Sequence, residues 1–185
     1  MKKKFLLFLT SLICVTSLQA ADYYYSHTAR YKGQGESILT NGNFTNGTQG
    51  WTNLEGGSVN AEIWSVESGM APDGGYGIIS LKGAMEDGNA LAQIVSMAPG
   101  TYVVSYYIKS EATTCTSVTV GNENYLDIFL NTDGSLVKGK DAVQVAMVET
   151  VTDEWKHVVS VVEVETESSL VFVAQCLAAG MMISN

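Results

Sequence analysis

Apolar and polar residues alternate with a period of two along most of this chain, which limits the fold more than any other feature. In residues 102–109, Tyr102, Val104, Tyr106 and Ile108 share one parity. Side chains of a strand point alternately to the two faces of its sheet, so the pattern predicts strands. The predicted strands are 59–66, 76–81, 90–97, 101–109, 117–120, 125–131, 142–150, 155–165, 169–176 and the segment from 181 onward. Turn formers separate them, which predicts an all-β, antiparallel β-sandwich or barrel of about ten strands.

Residues 40–53 combine two Asn-Gly pairs, at Asn41 and Asn46, with two isolated aromatic residues, Phe44 and Trp51. Asn-Gly pairs reach positive φ at low cost and reverse the chain tightly. Aromatic side chains in so polar a stretch are expected to insert into a core. We therefore predict a tight loop that Phe44 and Trp51 pin onto the sandwich.

The N-terminus has the pattern of a bacterial export signal. Three lysines at positions 2–4 precede the mostly apolar segment 5–15, and small residues follow at Ala20 and Ala21. The apolar run is too short for a stop-transfer helix. Ile13, in front of Cys14, argues against lipidation. The pattern predicts cleavage after residue 20 and a secreted, periplasmic or cell-surface protein without membrane insertion; the alternative is an N-terminal core helix.

The predicted mature chain is strongly acidic. It keeps seven Lys and Arg against nineteen Asp and Glu, a net charge of −12. Because binding to phosphates requires clustered Lys and Arg, this balance argues against a nucleic-acid partner. About 165 residues suit one sandwich domain. We assign residues 21–36 to a tyrosine-rich lead-in, a loose tail or a segment that wraps onto the domain, and 37–185 to the domain.

The order of several motifs carries a family resemblance. The motifs are NGNF (41–44) with GW (50–51), GGYGIISL (74–81), AQIV (92–95), PGTYVVSYYIKS (99–110) and EWKHVVSVVEVE (154–165). From about residue 37 to the end, the chain resembles the galactose-binding-like β-sandwich, a jelly roll, and more narrowly the secreted carbohydrate-binding modules of bacterial polysaccharide-degrading systems. The resemblance implies a glycan partner and a core position for Trp51. Trp155 is expected to be a core residue at the start of its strand.

Two departures from the family pattern concern metal and length. Many such modules hold a structural calcium ion with acidic residues where this chain has Thr45 and Asn185. Those carboxylates are missing, so no cofactor is predicted, and a calcium site built from backbone carbonyls stays open. The family's final strand usually runs beyond the position of Asn185. The resemblance therefore implies a domain cut short at its last strand, or a part of a longer protein with other domains.

Catalytic motifs are missing from the sequence. It contains no nucleophile elbow, HExxH, Walker or CxxC spacing, and its two histidines are His27 and His157. A lone strand histidine is more often packed or solvated than a general base. We predict a protein that is not an enzyme. Cys115 and Cys176 either form a disulfide in an oxidising compartment or stay as buried thiols.

Sugar recognition combines an aromatic ring with amides, carboxylates and ammonium groups that bind hydroxyls. The candidate binding residues are Tyr107, Lys109, Tyr125, Asp127, Phe129, Asn131, Trp64 and Gln93. Alternation places Leu126, Ile128 and Leu130 in the core, and the residues between them on the other face. Tyr107 and Lys109 share that face only if strand 101–109 belongs to the same sheet. The alternative is an ordinary solvated sheet face.

These observations predict a non-catalytic glycan-binding protein or module that serves polysaccharide capture. The alternative is a structural or adhesive β-sandwich that contacts protein partners. A glycan site should be concave, with aromatic and polar groups together, whereas a protein contact should be broader, flatter and more apolar.

Overall fold

The computed structural model describes residues 23–25, 30–32, 37–110, 125–138, 140–147 and 152–184. The chain divides into two compact units, Met1–Gly35 and Glu36–Asn185. In the first unit, strands β1 (Tyr23–Tyr25) and β2 (Arg30–Lys32) form an antiparallel pair. The predicted signal segment 1–20, Cys115, the predicted strand 117–120 and Asn185 lie outside the described residues.

The second unit is a β-sandwich, as the sequence predicts. Its described strands are β3 (Trp64–Ser68), β4 (Tyr76–Ser80), β5 (Leu91–Met97), β6 (Gly100–Ser110), β7 (Tyr125–Asn131), β8 (Val143–Met147), β9 (Lys156–Val164), β10 (Ser168–Gln175) and β11 (Met181–Ser184). A 3₁₀ turn at Asp87–Asn89 precedes β5. No helix among the described residues is long and apolar enough to cross a membrane.

The strands form two antiparallel sheets. The order in the four-stranded sheet is β5-β10-β7-β8, and that in the five-stranded sheet is β3-β4-β11-β6-β9. The core lies between them, where Leu91, Ile128 and Phe172 of the first sheet pack with Ile78 and Ile108 of the second. Because strand residues alternate, each sheet also has an outer face, and the candidate binding residues divide between these two outer faces and the interior.

The loop at residues 40–53 is pinned as predicted. The rings of Phe44 and Trp51 stack with centroids 5.1 Å apart, and Trp51 meets Phe172 edge-on at 5.2 Å. Both residues belong to the buried core. Phe44 has a φ of 56°, which is uncommon for a bulky side chain, so the surrounding packing holds the turn in this conformation.

Strand β11 lies in the middle of its sheet and pairs with a neighbour on both sides. Met182 is opposite Ile79 of β4 and Lys109 of β6. This short segment is therefore paired along both of its sides. Whether the domain continues past Asn185 stays a prediction.

Cys176 is buried, and its Sγ lies 3.7 Å from the carbonyl oxygen of Lys82. Both alternatives for Cys176, a disulfide with Cys115 and a buried thiol, stay predictions.

Candidate functional site

The candidate residues of β6 and β7 lie in different sheets. Tyr107 and Lys109 are on the outer face of the five-stranded sheet, whereas Asp127 and Phe129 are on the outer face of the four-stranded sheet. Tyr107 and Lys109 therefore do not share a face with Asp127 and Phe129, because the core lies between the two outer faces. Tyr125 belongs to β7 by its backbone, and its side chain lies outside the described part of the structure.

Trp64, expected to be the tryptophan most available to a ligand, is 2% exposed. The predicted strand 59–66 begins only at Trp64, because residues 61–63 form a turn. Its side chain packs in the core between the sheets, and its Nε1 donates a hydrogen bond to the carbonyl oxygen of Asn89 at 2.7 Å. With its polar atom satisfied and its ring enclosed, Trp64 supports the fold and presents no surface to a ligand.

Two candidate amides, Gln93 and Asn131, are also buried, and each anchors a loop. The backbone N–H of Thr40 donates to Gln93 Oε1 at 2.8 Å. Gln93 Nε2 donates to the carbonyl oxygens of Thr40 at 2.9 Å and Gly50 at 3.1 Å. These three bonds hold the loop that carries Trp51. Asn131 holds a second loop, as described below.

The described residues form a recess on the outer face of the four-stranded sheet, which we call the Asp127 pocket. Its volume is about 250 Å³. Its lining residues are Leu54, Asp87, Asp127, Phe129, Leu136, Val137, Lys138, Val173 and Gln175. The sheet supplies the floor, the loop between β7 and β8 supplies one wall, and the segments that carry Leu54 and Asp87 supply the other. Apolar and charged groups therefore meet in one concavity, as in ligand sites generally.

Two residues that line the pocket form an ion pair. Lys138 Nζ lies 3.1 Å from Asp127 Oδ2, with the two side chains 41% and 15% exposed. The same Nζ lies 5.4 Å from the centroid of the Phe129 ring. One ammonium group thus contacts both the carboxylate and the aromatic face of the pocket. Because the pair is partly exposed, solvent screens it.

The loop wall is built by local hydrogen bonds. Asn131 Nδ2 donates to the carbonyl oxygens of Ser135 at 2.7 Å and Val137 at 2.9 Å. The N–H of Ser135 donates to Asp133 Oδ1, and the N–H of Val137 donates to Ser135 Oγ. Gly134 has a φ of 70°, which glycine adopts without strain. The backbone leading to Lys138 is therefore fixed from both sides of the turn.

The opposite wall is held by the backbone and by Asn53. The N–H of Leu54 donates to the carbonyl oxygen of Asp87 at 3.0 Å. Asn53 Nδ2 donates to the carbonyl oxygen of Gly88 at 3.2 Å. On the floor, Gln175 Nε2 donates to the carbonyl oxygen of Met85 at 2.9 Å. Both walls are thus ordered by hydrogen bonds without a ligand, which limits the entropy that binding would lose.

Sequence reasoning found two of the pocket's lining residues, Asp127 and Phe129. Gln175 and Val173 carried a usable signal, because alternation along β10 gives them the same parity and the same face as Val171. Lys138 and Leu136 carried none, since they lie in a loop whose path depends on the buried amide of Asn131.

The outer face of the five-stranded sheet carries a row of paired planar groups, which we call the Tyr107 row. Tyr107 and His157, directly opposite across β6 and β9, stack with centroids 4.3 Å apart and an interplanar angle of 13°. Lys109 Nζ lies 5.2 Å above the ring of Trp155, and Ser105 Oγ lies 2.9 Å from His157 Nε2. Trp155 is only half-buried on this surface, so the expected core position is wrong.

Tyr106, next to Tyr107 in sequence, points into the core. Its ring meets Phe172 edge-on at 6.1 Å, and its Oη has no hydrogen-bond partner among the described residues. Burial raises the pKa of the Tyr106 phenol far above its ordinary value, and the negative charge of Asp127 raises it further. The phenol is therefore neutral at physiological pH.

These groups support binding more readily than bond cleavage. Asp127 can accept hydrogen bonds from hydroxyls, Lys138 can donate them, and Phe129, Val173 and Leu54 offer apolar contact. Within the described ranges, no cluster of three or more His, Cys, Asp or Glu residues has the spacing to hold a metal ion.

Comparisons with solved structures identify other proteins that share this fold. No protein-family model and no curated protein matches the sequence. Among solved structures, a family 16 carbohydrate-binding module superposes with a TM-score of 0.54 at 17% identity, over 80% of this chain and 96% of that one. The chain has the fold of carbohydrate-binding modules. At so low an identity, the likeness extends to the fold and no further.

Two further modules of similar length agree with this assignment. The TmCBM61 structure, in complex with β-1,4-galactotriose, gives a TM-score of 0.51 at 19% identity, over 81% of this chain and 94% of that one. The CBM22-2 xylan-binding domain of Paenibacillus barcinonensis Xyn10C gives 0.51 at 11% identity, over 77% and 96%. The predicted jelly-roll resemblance is confirmed at the level of fold.

Proposed function

We propose that this protein is a non-catalytic glycan-binding protein or module, secreted by a bacterium, that captures polysaccharide through the Asp127 pocket. The observation that carries the proposal is the joining of Asp127, Lys138 and Phe129 in one recess on a sandwich whose structural neighbours bind oligosaccharides. Those neighbours include a module in complex with galactotriose and a xylan-binding domain. The fold makes a saccharide ligand the first candidate, and the pocket supplies the chemistry for it.

The pocket's chemistry fits a sugar. A pyranose has an apolar face and a rim of hydroxyls, and the pocket has apolar side chains beside a carboxylate, an ammonium group and an amide. A volume of about 250 Å³ is close to the lower end of typical ligand sites. We therefore propose that one sugar unit of a longer glycan is enclosed and that the adjoining units lie on the surface.

Glycan-array binding of the full chain, followed by calorimetry on the best oligosaccharide, tests the proposal. Asp127→Ala should weaken binding by about tenfold, since a hydrogen bond to a charged acceptor is lost. The matched control is Glu62→Ala, which removes another carboxylate paired with a lysine, Lys82, at 3.4 Å. Equal affinity of the Asp127 and Glu62 variants would move the site elsewhere. An array on which nothing binds would favour the alternative, an adhesive domain with protein partners.

Export and metal independence are separate parts of the proposal. N-terminal sequencing of protein recovered from the envelope or the medium should give a start near Ala20 or Ala21, and an intact Met1 on exported protein would contradict cleavage. Glycan affinity should be the same with and without a calcium chelator. A loss of affinity on chelation would point to a carbonyl-based calcium site.

A further inference from the structure

Strand β9 ends the five-stranded sheet within the described part of the chain. It pairs with β6 along its whole length, and on its other side alternate residues direct their N–H and C=O groups away from the sheet. With nine residues it is longer than the other described edge strands, β3, β5 and β8. The edge of β5 is also covered in part, because Ala92 exchanges backbone hydrogen bonds with Thr52. β9 therefore offers the longest row of backbone groups to an added strand.

The centre of β9 lacks the features that usually protect an edge strand. Natural edges are commonly protected by a charged side chain, a proline, a bulge or a short length. Residues 158–162 have the sequence VVSVV, with neither a charge nor a proline. The register with β6 continues through them without a shift, so the strand has no bulge against β6. Val159, on the outer face, is 36% exposed. This segment is therefore suited to pair with another strand.

The sequence of β9 is complementary to itself in the antiparallel direction. Around Ser160 it reads VVSVV in both directions, with Lys156 and His157 before this segment and Glu163 and Glu165 after it. Two copies paired about Ser160 place valine opposite valine, and His157 opposite Glu163 of the second copy. A parallel pairing would instead bring the two acidic ends together, which is unfavourable. The charge pattern therefore identifies a second copy of this chain, in the antiparallel direction, as the added strand.

The contacts that His157 and Glu163 already make are compatible with this pairing. Both residues are exposed and lie on the outer face, opposite Tyr107 and Thr101 of β6. The stack of His157 on Tyr107 joins β9 to β6, away from the open edge. A carboxylate accepts several hydrogen bonds, so Glu163 can bind an imidazole N–H and keep its contact within its own chain.

We propose that two copies of this chain form a dimer through β9, paired antiparallel about Ser160, so that two five-stranded sheets become one continuous sheet. The interface is a single pair of strands and is therefore small, which makes the dimer reversible and dependent on protein concentration. This inference goes beyond the proposed function and does not depend on glycan binding.

Sedimentation velocity of the purified protein, over about a hundredfold range of concentration, tests the dimer. The wild type should change from monomer to dimer as its concentration rises. Val159→Lys should weaken the dimer by about tenfold or more, because it places a charge on the open edge and two ammonium groups near the two-fold axis. Val143→Lys, at a 60% exposed valine on the edge strand of the other sheet, is the matched control and should dimerise as the wild type does. A wild type that stays monomeric, or a dimer that Val159→Lys leaves intact, would overturn the proposal.

Cysteine cross-linking tests the register and does not depend on how Val159→Lys folds. In Ser160→Cys the two new thiols meet at the axis, with Cα atoms about 4.5–5.5 Å apart, which suits a disulfide. Oxidised glutathione should therefore produce a covalent dimer, seen on a non-reducing gel. In Glu163→Cys the two new thiols are six residues apart along the strands, about 20 Å, and should not cross-link. The wild type gives the background from Cys115 and Cys176. A covalent dimer of Glu163→Cys without one of Ser160→Cys would overturn pairing about Ser160.

Discussion

The two outer faces of the sandwich use aromatic and charged residues in opposite ways. On the five-stranded sheet, Tyr107 stacks on His157, and Lys109 lies over Trp155, so each planar group packs against a neighbour on the same surface. On the four-stranded sheet, Phe129 lies at the bottom of a recess, where Leu54 and Leu136 pack against its cluster and Lys138 Nζ lies 5.4 Å from its ring centroid. The first face is rich in residues typical of sugar sites, whereas the second has fewer of them and encloses a volume of about 250 Å³.

The difference shows that a recess depends on the loops more than on the composition of the strands. The loop of residues 132–138 rises above β7 because the buried amide of Asn131 fixes it. In the Tyr107 row, the planar groups gain contact area from each other. Cross-strand pairs of this kind stabilise a sheet.

The largest effect on stability is expected at Trp64, the tryptophan of the five-stranded sheet whose side chain lies in the core. Trp64→Ala should lower the free energy of unfolding by about 3–5 kcal/mol, because a large buried side chain leaves a cavity. Urea denaturation gives the value. Trp155→Ala, on the outer face of the same sheet, is the control and should cost less than half as much. A small effect of Trp64→Ala would mean that Trp64 is not a core residue, and would return it to the list of ligand contacts.

The next effect concerns Gln93, which sequence reasoning assigned to a ligand and the structure assigns to a loop. Gln93→Ala removes three hydrogen bonds to Thr40 and Gly50 and should cost about 1–3 kcal/mol of stability. The glycan affinity of the folded variant should equal that of the wild type. A loss of affinity without a loss of stability would extend the binding site to this edge of the sandwich.

The stability of the protein at alkaline pH should depend on Tyr106, whose phenol is buried between the two sheets. Its folded-state pKa is raised above the ordinary value of about 10. The unfolded chain therefore releases this proton more readily, and the stability that the neutral phenol contributes is present below pH 10 and falls as the pH rises beyond it. Tyr106→Phe should lose less stability than the wild type between about pH 9.5 and 11.5.

The control for this prediction is Tyr76→Phe, which changes an exposed phenol and should follow the wild type. At neutral pH, Tyr106→Phe should be neutral or slightly stabilising, since the Oη has no partner among the described residues. An identical alkaline loss in Tyr106→Phe and wild type would contradict a buried phenol.

The smallest effect is expected in the Tyr107 row. Tyr107→Ala removes a cross-strand stack and should cost about 0.2–1 kcal/mol of stability, measured by thermal or urea unfolding. It should not change glycan affinity. If Tyr107→Ala weakens glycan binding and Asp127→Ala does not, the roles of the two faces are reversed.

Sequence patterns predicted the sandwich because alternation and turn residues are local. The strands from β4 onward that lie in the described ranges were placed within a few residues, and Trp51 was correctly assigned to the core. The sheet to which a strand belongs is a non-local property. Strand 101–109 could therefore have joined either sheet, and Tyr107 was grouped with Asp127 on that uncertain basis.

Site residues were harder to predict because chemistry alone does not distinguish a ligand contact from a loop anchor. The amides of Gln93 and Asn131 have the groups that bind sugars, but here they satisfy buried backbone groups. Trp64 was misplaced because the period of two breaks at the turn 61–63 just before it. Lys138 was missed because its contact with Asp127 spans a loop.

The central position of β11 has a consequence for how the protein is made. β4 and β6, its two neighbours, are both complete long before β11 is synthesised, and until then each presents a row of unpaired backbone groups to the gap between them. Such edges recruit other strands readily. The five-stranded sheet therefore closes only when β11 enters between β4 and β6, and whatever delays β11 also delays the closure of this sheet.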